Sequence, residues 1–266
     1  MAVFSLFFIF GLIIGSFLNV LVYRLKDAET LLGRSFCRHC RHQIRWYDNI
    51  PLISFILLGG MCRDCEEKIS WQYPLLEAVT AIGFVLVGRY FFVLDDQGTW
   101  WETLWLLGIV SLFLAIAAYD LRHMEIPVTL LIASALWAAL FLLTTFHVAD
   151  FSRAPWWESR LAQGVLGGGV VALFFFALVY ASRETWMGWG DVWLGGVAGM
   201  VVGLQSTLFM LTLSFGLGAL CGIGMMLWGG KNMKSQIPFA PYLVLGVLLT
   251  LLLPNIFPHV FFGVFF

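Results

Sequence analysis

Eight apolar stretches, each near the length that crosses a bilayer, constrain this chain more than any other feature. A spanning helix needs roughly 20 apolar residues. By that rule the sequence predicts helices over 3–23, 75–94, 102–119, 128–148, 161–182, 192–204, 206–229 and 241–262. The sixth is short and glycine-rich, and its break from the seventh is placed at Gly203–Ser206. Lipid offers no water to backbone amides, so such stretches must satisfy them internally, as helices do. Charged residues are 12% of the 266, against about 25% in soluble domains. The expected fold is an all-α polytopic membrane protein of about eight transmembrane helices, with lipids as partners and no nucleic acid. The first stretch lacks a basic leader and a small-residue cleavage site, so it is read as a retained anchor.

Lysine and arginine positions set the expected orientation. The segment 24–74 carries Arg24, Lys26, Arg34, Arg38, Arg41, Arg45, Arg63 and Lys68. Alternate loops on the same side add Arg122, Arg183, Lys231 and Lys234, whereas the opposite side has Arg153 and Arg160, with Arg89 near a span end. The positive-inside rule then places the long loop in the cytoplasm and the N-terminus outside. Trp100, Trp101, Trp105, Trp156 and Trp157 fit an outer aromatic belt, and Trp186 and Trp189 an inner one.

Against this apolar background two carboxylates stand out. Asp120 ends the run 112–119, and Asp191 follows the turn Gly188-Trp189-Gly190. An ionisable group at the hydrocarbon border is costly unless paired, hydrated or neutral, and its default reading is functional. Both fall at cytoplasmic helix ends, where two such groups can share a proton and act as acid and base on water. A helix cap or polar anchor is the plainer reading of either one alone. Gly188 and Gly190 would permit positive φ and the close approach of an extended substrate. Pro127 and Pro238 limit neighbouring helices at the same level.

The long loop holds Cys37-Arg38-His39-Cys40 and Cys62-Arg63-Asp64-Cys65. Two C-x-x-C knuckles complete a tetrahedral shell of four thiolates, the usual structural zinc arrangement. Paired disulfides or a redox dithiol are the other readings, and a cytoplasmic location opposes stable disulfides. His39 and His42 are expected as polar loop residues, and Cys221 as a small buried one. Gly195-x-x-x-Gly199-x-x-x-Gly203 and Gly218-x-x-x-Gly222 predict close helix contacts. Asn19 is expected to hydrogen-bond across helices, and Arg122 and His123 to face headgroups. Glu77 pairs with an arginine or serves chemistry.

These residues occur in an order that resembles the type IV prepilin peptidases, the prepilin leader peptidase/N-methyltransferases. The resemblance covers nearly the whole chain. It rests on 15–20 (GSFLNV) with 23–25 (YRL), on 46–54 (WYDNIPLIS), on 69–70 with 73–77 (YPLLE), and on Asp120-Leu121 with Ile126-Pro127. It continues through Gly188-Trp189-Gly190-Asp191, a G-x-G-D motif shared with presenilin-type proteases, to 237–241 (IPFAP). Gly59-Gly60-Met61, Gln72 and Trp193 depart from the family's pattern. The first two of these departures lie in the loop and bear on methylation rather than cleavage.

The resemblance implies an aspartic endopeptidase of the bacterial cytoplasmic (inner) membrane, with Asp120 and Asp191 as its catalytic pair. Its substrate would be a prepilin or pseudopilin, with a basic leader in the cytoplasm and an apolar helix in the bilayer. It also implies methylation of the new N-terminus from S-adenosylmethionine, for which Gly60 and Glu77 are the candidate binding residues. The expected organisation is a first helix over 1–23, a zinc loop over 24–74 and a peptidase core over 75–266. A G-x-G-D peptidase without methylation, and an ion-coupled transporter, are the alternatives.

Overall fold

The computed structural model describes residues 2–26, 30, 33–89, 100–144, 155–228 and 237–256. The expected helix ends at 94, 148, 229 and 262, and the cations Arg153, Lys231 and Lys234, lie outside the described residues. Within them the chain is nearly all helical. Helix α1 runs over Ala2–Lys26, α2 over Ile53–Leu57, α3 over Gln72–Arg89, α4 over Trp100–His123 and α5 over Val128–Thr144. They are followed by α6 at Arg160–Ser182, α7 at Trp189–Val202, α8 at Leu204–Trp228 and α9 at Ala240–Ile256. Four of these, α1, α4, α6 and α8, are long and apolar enough to cross a membrane, and α5, α7 and α9 are shorter apolar helices.

The chain divides into two compact units, Met1–Ala118 and Tyr119–Phe266, with the boundary inside α4. In the first unit α1 and α3 form an antiparallel hairpin. A Cβ added at Gly15 would lie 2.7 Å from the Glu77 backbone, and one at Gly11 2.5 Å from that of Ala81, so the two helices meet through bare backbone. Asn19 bridges them as expected, donating to the carbonyls of Gly15 and Tyr73. The Tyr23 and Tyr73 rings stack at 5.0 Å where the hairpin opens into the loop.

In the second unit α6 and α7 pack along a glycine seam. Gly195 and Gly199 belong to it, as their spacing predicts. Its other half is Gly164, Gly167 and Gly168 of α6, where a Cβ at Gly167 would meet the Gly199 carbonyl at 2.6 Å. The seam ends at Gly203, whose φ of +77° breaks the chain between α7 and α8 inside the expected interval. Gly218 and Gly222 do not form a second seam. Added Cβ atoms there would stand at ordinary contact distance, 3.6 Å from Tyr242 and 3.8 Å from Ile237.

Three further expectations are corrected. Cys221 is exposed rather than buried, because α8 has only 11% of its apolar window covered. Trp105 is buried, not part of an outer belt, whereas Trp100, Trp156 and Trp157 are exposed. The His123 ring is partly covered and packs against Tyr119 at 4.5 Å, one helical turn back. Arg122, beside it, is exposed.

Candidate active site and metal centre

Asp120 lies near the end of α4 with its side chain buried. One carboxylate oxygen accepts the Ala240 N–H at 3.1 Å, at the first residue of α9. The free N–H groups and partial positive charge of a helix N-terminus suit a carboxylate. Ala240 is fixed by its neighbour Phe239, whose ring packs at 5.7 Å from Phe175 of α6 and 5.1 Å from Phe215 of α8. This aromatic cluster holds the donor where Asp120 can reach it. Residue type gives no hint of such a role, since the donor is backbone; only the 237–241 stretch marks the place.

Asp191 sits in the first turn of α7 and reaches back to the Gly188 N–H at 3.1 Å. That is the reach-back half of a capping box, so the cap reading of this side chain holds. The two carboxylates are close enough for the charge of Asp191 to act on Asp120. A second link joins their elements: Ile126, in the turn after α4, packs against the backbone of Gly190 so tightly that a Cβ there would lie 3.1 Å away. Close approach therefore favours glycine at 190. Neither Gly188 nor Gly190 has a positive φ, so that part of the expectation does not hold.

Beside the turn lies a cleft of about 240 Å³ lined by Val179, Tyr180, Arg183, Glu184 and Trp189. Glu184 accepts the Trp189 indole N–H at 2.7 Å, fixing the cleft's one carboxylate on the motif's own tryptophan.

In the first unit the four loop cysteines converge, with all four sulfurs within 4.8 Å of one another. The two knuckles repeat one another at the backbone. Cys37 N–H donates to the His42 carbonyl as Cys62 N–H does to that of Glu67, and Arg41 and Glu66, each four residues on, both have φ +59°. Tetrahedral Zn–S bonds of about 2.3 Å separate sulfurs by about 3.8 Å. Cys37 Sγ and Cys65 Sγ lie 3.8 Å apart, and the cysteines are free thiols, so the donor set fits a tetrahedral metal. His39 and His42 are exposed and outside the cluster. Burial raises the Cys37 thiol, but the backbone N–H groups of Cys40 and His39 and the sulfurs of Cys62 and Cys40 outweigh it and bring the thiol down to about 7.

The knuckles are tied to their surroundings by their arginines. Arg38 lies over the Tyr23 ring at 4.1 Å, continuing the stack onto Tyr73. Arg63 grips Asp48 with two hydrogen bonds, of 2.9 and 2.6 Å, and holds its carboxyl below the usual carboxylate range. A metal held by the four cysteines would therefore order more than its four ligands. Cys62→Ser is expected to lower bound metal from one ion per chain to a small fraction and to open the loop to protease, measured by elemental analysis and limited proteolysis.

Gly60 and Glu77 both have structural work. Gly60 has φ +72°, its N–H and carbonyl are both bonded, and a Cβ would meet the Phe55 ring at 3.1 Å. Buried Glu77 accepts the Leu52 N–H at 2.9 Å and a hydrogen bond from Ser16. Leu52 has φ +59°, so Glu77 secures a strained loop residue onto the helical hairpin and pairs with no arginine among the described residues.

Comparison with known proteins identifies the family. Residues 9–91 match the Bacterial Peptidase A24 N-terminal domain and residues 106–223 the Type IV leader peptidase family. A prepilin leader peptidase/N-methyltransferase of Aeromonas hydrophila is 32% identical over 94% of this chain and 90% of its own length. A Bacillus subtilis protein of the same name is 30% identical over 93% of both chains. A type 4 prepilin-like proteins leader peptide-processing enzyme of Escherichia coli O78:H11 is 31% identical over 93% of both chains. No solved structure gives a significant match. Spread over nearly the full length of both partners, these matches show that the chain belongs to the type IV prepilin leader peptidase family.

Proposed function

We propose that this protein removes the leader from prepilins or pilin-like pseudopilins at the cytoplasmic boundary of the inner membrane, and then methylates the new N-terminal amine. The observation that carries cleavage is that Asp120 of α4 and Asp191 of α7 lie in one compact unit, each held by a single backbone N–H, with their elements joined where Ile126 meets Gly190. One carboxylate takes a proton from water as it attacks the scissile carbonyl. The other, protonated, donates to the carbonyl oxygen and then protonates the departing amine. A close pair titrates as a unit, so the two roles belong to the dyad. Room for an extended substrate is available at Gly188, where an added Cβ would find its nearest neighbour 4.0 Å away. Glu184 offers counter-charge to a basic leader from the neighbouring cleft.

In this reading eight helices cross the membrane, the N-terminus is outside and the cysteine loop is cytoplasmic, where the basic residues of 24–74 belong. The loop's metal is zinc, held by Cys37, Cys40, Cys62 and Cys65, and its part is structural: it fixes the loop fold. The peptidase core extends over 75–266, following the first helix at 1–23 and the loop at 24–74. Incubating the detergent-solubilised protein with a prepilin tests the main activity, a mobility shift being the expected result. A transporter would give none.

S-Adenosylmethionine supplies the methyl group, and the cysteine loop with Glu77 is the region proposed to receive it. Gly60→Ala places a side chain at positive φ against Phe55. Glu77→Ala leaves the Leu52 N–H without its acceptor, at a cost of about 1–3 kcal/mol. Both are expected to lower transfer of labelled methyl severalfold while leaving cleavage largely intact. Full methylation by the double variant would remove these two residues from the methyl-donor site.

A further inference from the structure

We propose that the cytoplasmic loop docks on the membrane itself, through an apolar face on α2 that lies flat against the anionic inner leaflet. In α2 the residues Ile53, Ile56 and Leu57 share one helical face and are 53%, 74% and 79% exposed. The other side of the helix faces inward, with Ser54 buried and its hydroxyl donating to the Tyr47 carbonyl. Three large aliphatic side chains on one exposed face of a polar loop are costly in water and indicate a surface that is covered in use.

The covering partner follows from what the face is joined to. Phe55 packs edge-on against Trp71 at 5.0 Å, and Trp71, itself 76% exposed, lies one helical turn before Leu75. Leu75 and Ile82 are the exposed apolar residues of α3, at 61% and 55%, on the side turned away from α1. Phe55 thus anchors α2 beside the start of a helix paired with a bilayer-length one, with an exposed tryptophan at the junction, as at membrane interfaces. Charge points the same way. The segment 24–74 has eight Lys and Arg against six Asp and Glu, and Lys68 is exposed in the second knuckle. A loop of net basic charge that carries an exposed apolar face fits the anionic cytoplasmic leaflet. The inference rests on the cytoplasmic placement of this loop.

The test uses the full-length protein in nanodiscs of phosphatidylcholine with phosphatidylglycerol. An environment-sensitive fluorescent amino acid replaces Leu57 or, in a second preparation, the exposed Gln43. Lipids with a nitroxide near the headgroup should quench the probe at 57 by at least about threefold more than at 43. That difference should shrink in the Ile53→Asn, Ile56→Asn double variant, with metal content confirming that the loop remains folded. Equal quenching at the two positions would overturn the proposal. So would a probe at 57 that stays open to aqueous iodide and is shielded only on adding a prepilin, which would make substrate the occupant. Protease accessibility of the loop in sealed vesicles reports its side separately, so an error in topology is distinguishable from a failure to dock.

Discussion

Asp120→Asn and Asp191→Asn are each expected to abolish leader cleavage, by about a thousandfold or more, and to leave the protein folded with its metal content unchanged. Asparagine is the informative replacement because its amide oxygen still accepts a hydrogen bond. The Ala240 N–H and the Gly188 N–H, both at 3.1 Å from their carboxylates, keep their partners. Only the ability to hold or release a proton is lost. Alanine removes the acceptor as well, so it should abolish cleavage to the same extent and also cost about 1 kcal/mol of stability. If Asp191 served only to cap α7, the order would reverse: asparagine would be active and alanine merely unstable. The double asparagine variant should be no worse than either single one, because the two carboxylates act as one unit. Cleavage of a prepilin on a gel, with thermal unfolding in the same detergent, reads all five variants.

The candidate site residues of this chain stand out in its sequence because each carries a cost in its setting. Asp120 and Asp191 border long apolar stretches, and four cysteines at metal-ligand spacing stand in one polar loop. Helix limits are legible for a similar reason, since Pro127 and Gly203 cannot sit inside regular helix without penalty. What holds the site together is less visible. The donor to Asp120 is the Ala240 backbone, and its placement depends on Phe175, Phe215 and Phe239 meeting from three elements. In a chain with 25 phenylalanines nothing in the sequence singles these out. Glu77 shows the opposite difficulty. A buried acid beside a loop suggests chemistry, whereas its hydrogen bond to strained Leu52 depends on a fold across 25 residues. Spacing alone also cannot say which glycines meet a partner, which is why Gly218 and Gly222 match the pattern without the contact.

Gly167, Gly168 and Gly169 turn that last point into an experiment, since three adjacent and chemically identical residues should respond differently to alanine. A Cβ at Gly167 would stand 2.6 Å from the Gly199 carbonyl and 2.8 Å from the Gly203 backbone. A backbone neighbour cannot rotate away, so α6 and α7 must separate along the seam. At Gly168 the nearest atom is the Met200 side chain at 2.6 Å, which can move, although the Gly196 carbonyl at 2.9 Å cannot. At Gly169 nothing lies within 4 Å. Overpacking of this kind costs about 1–3 kcal/mol. Gly167→Ala is thus expected at the upper end, Gly168→Ala below it, and Gly169→Ala neutral or stabilising by up to about 1 kcal/mol through helix propensity. Gly199→Ala should match Gly167→Ala, because its Cβ would strike the Gly167 carbonyl from the other side. Because α7 carries Asp191, separating the seam also displaces a carboxylate that must meet Asp120, so cleavage should fall in step with stability at 167 and 199. Thermal unfolding temperatures that do not distinguish Gly167→Ala from Gly169→Ala would mean the two helices are not in backbone contact, and the rigid support inferred for Asp191 would go with it.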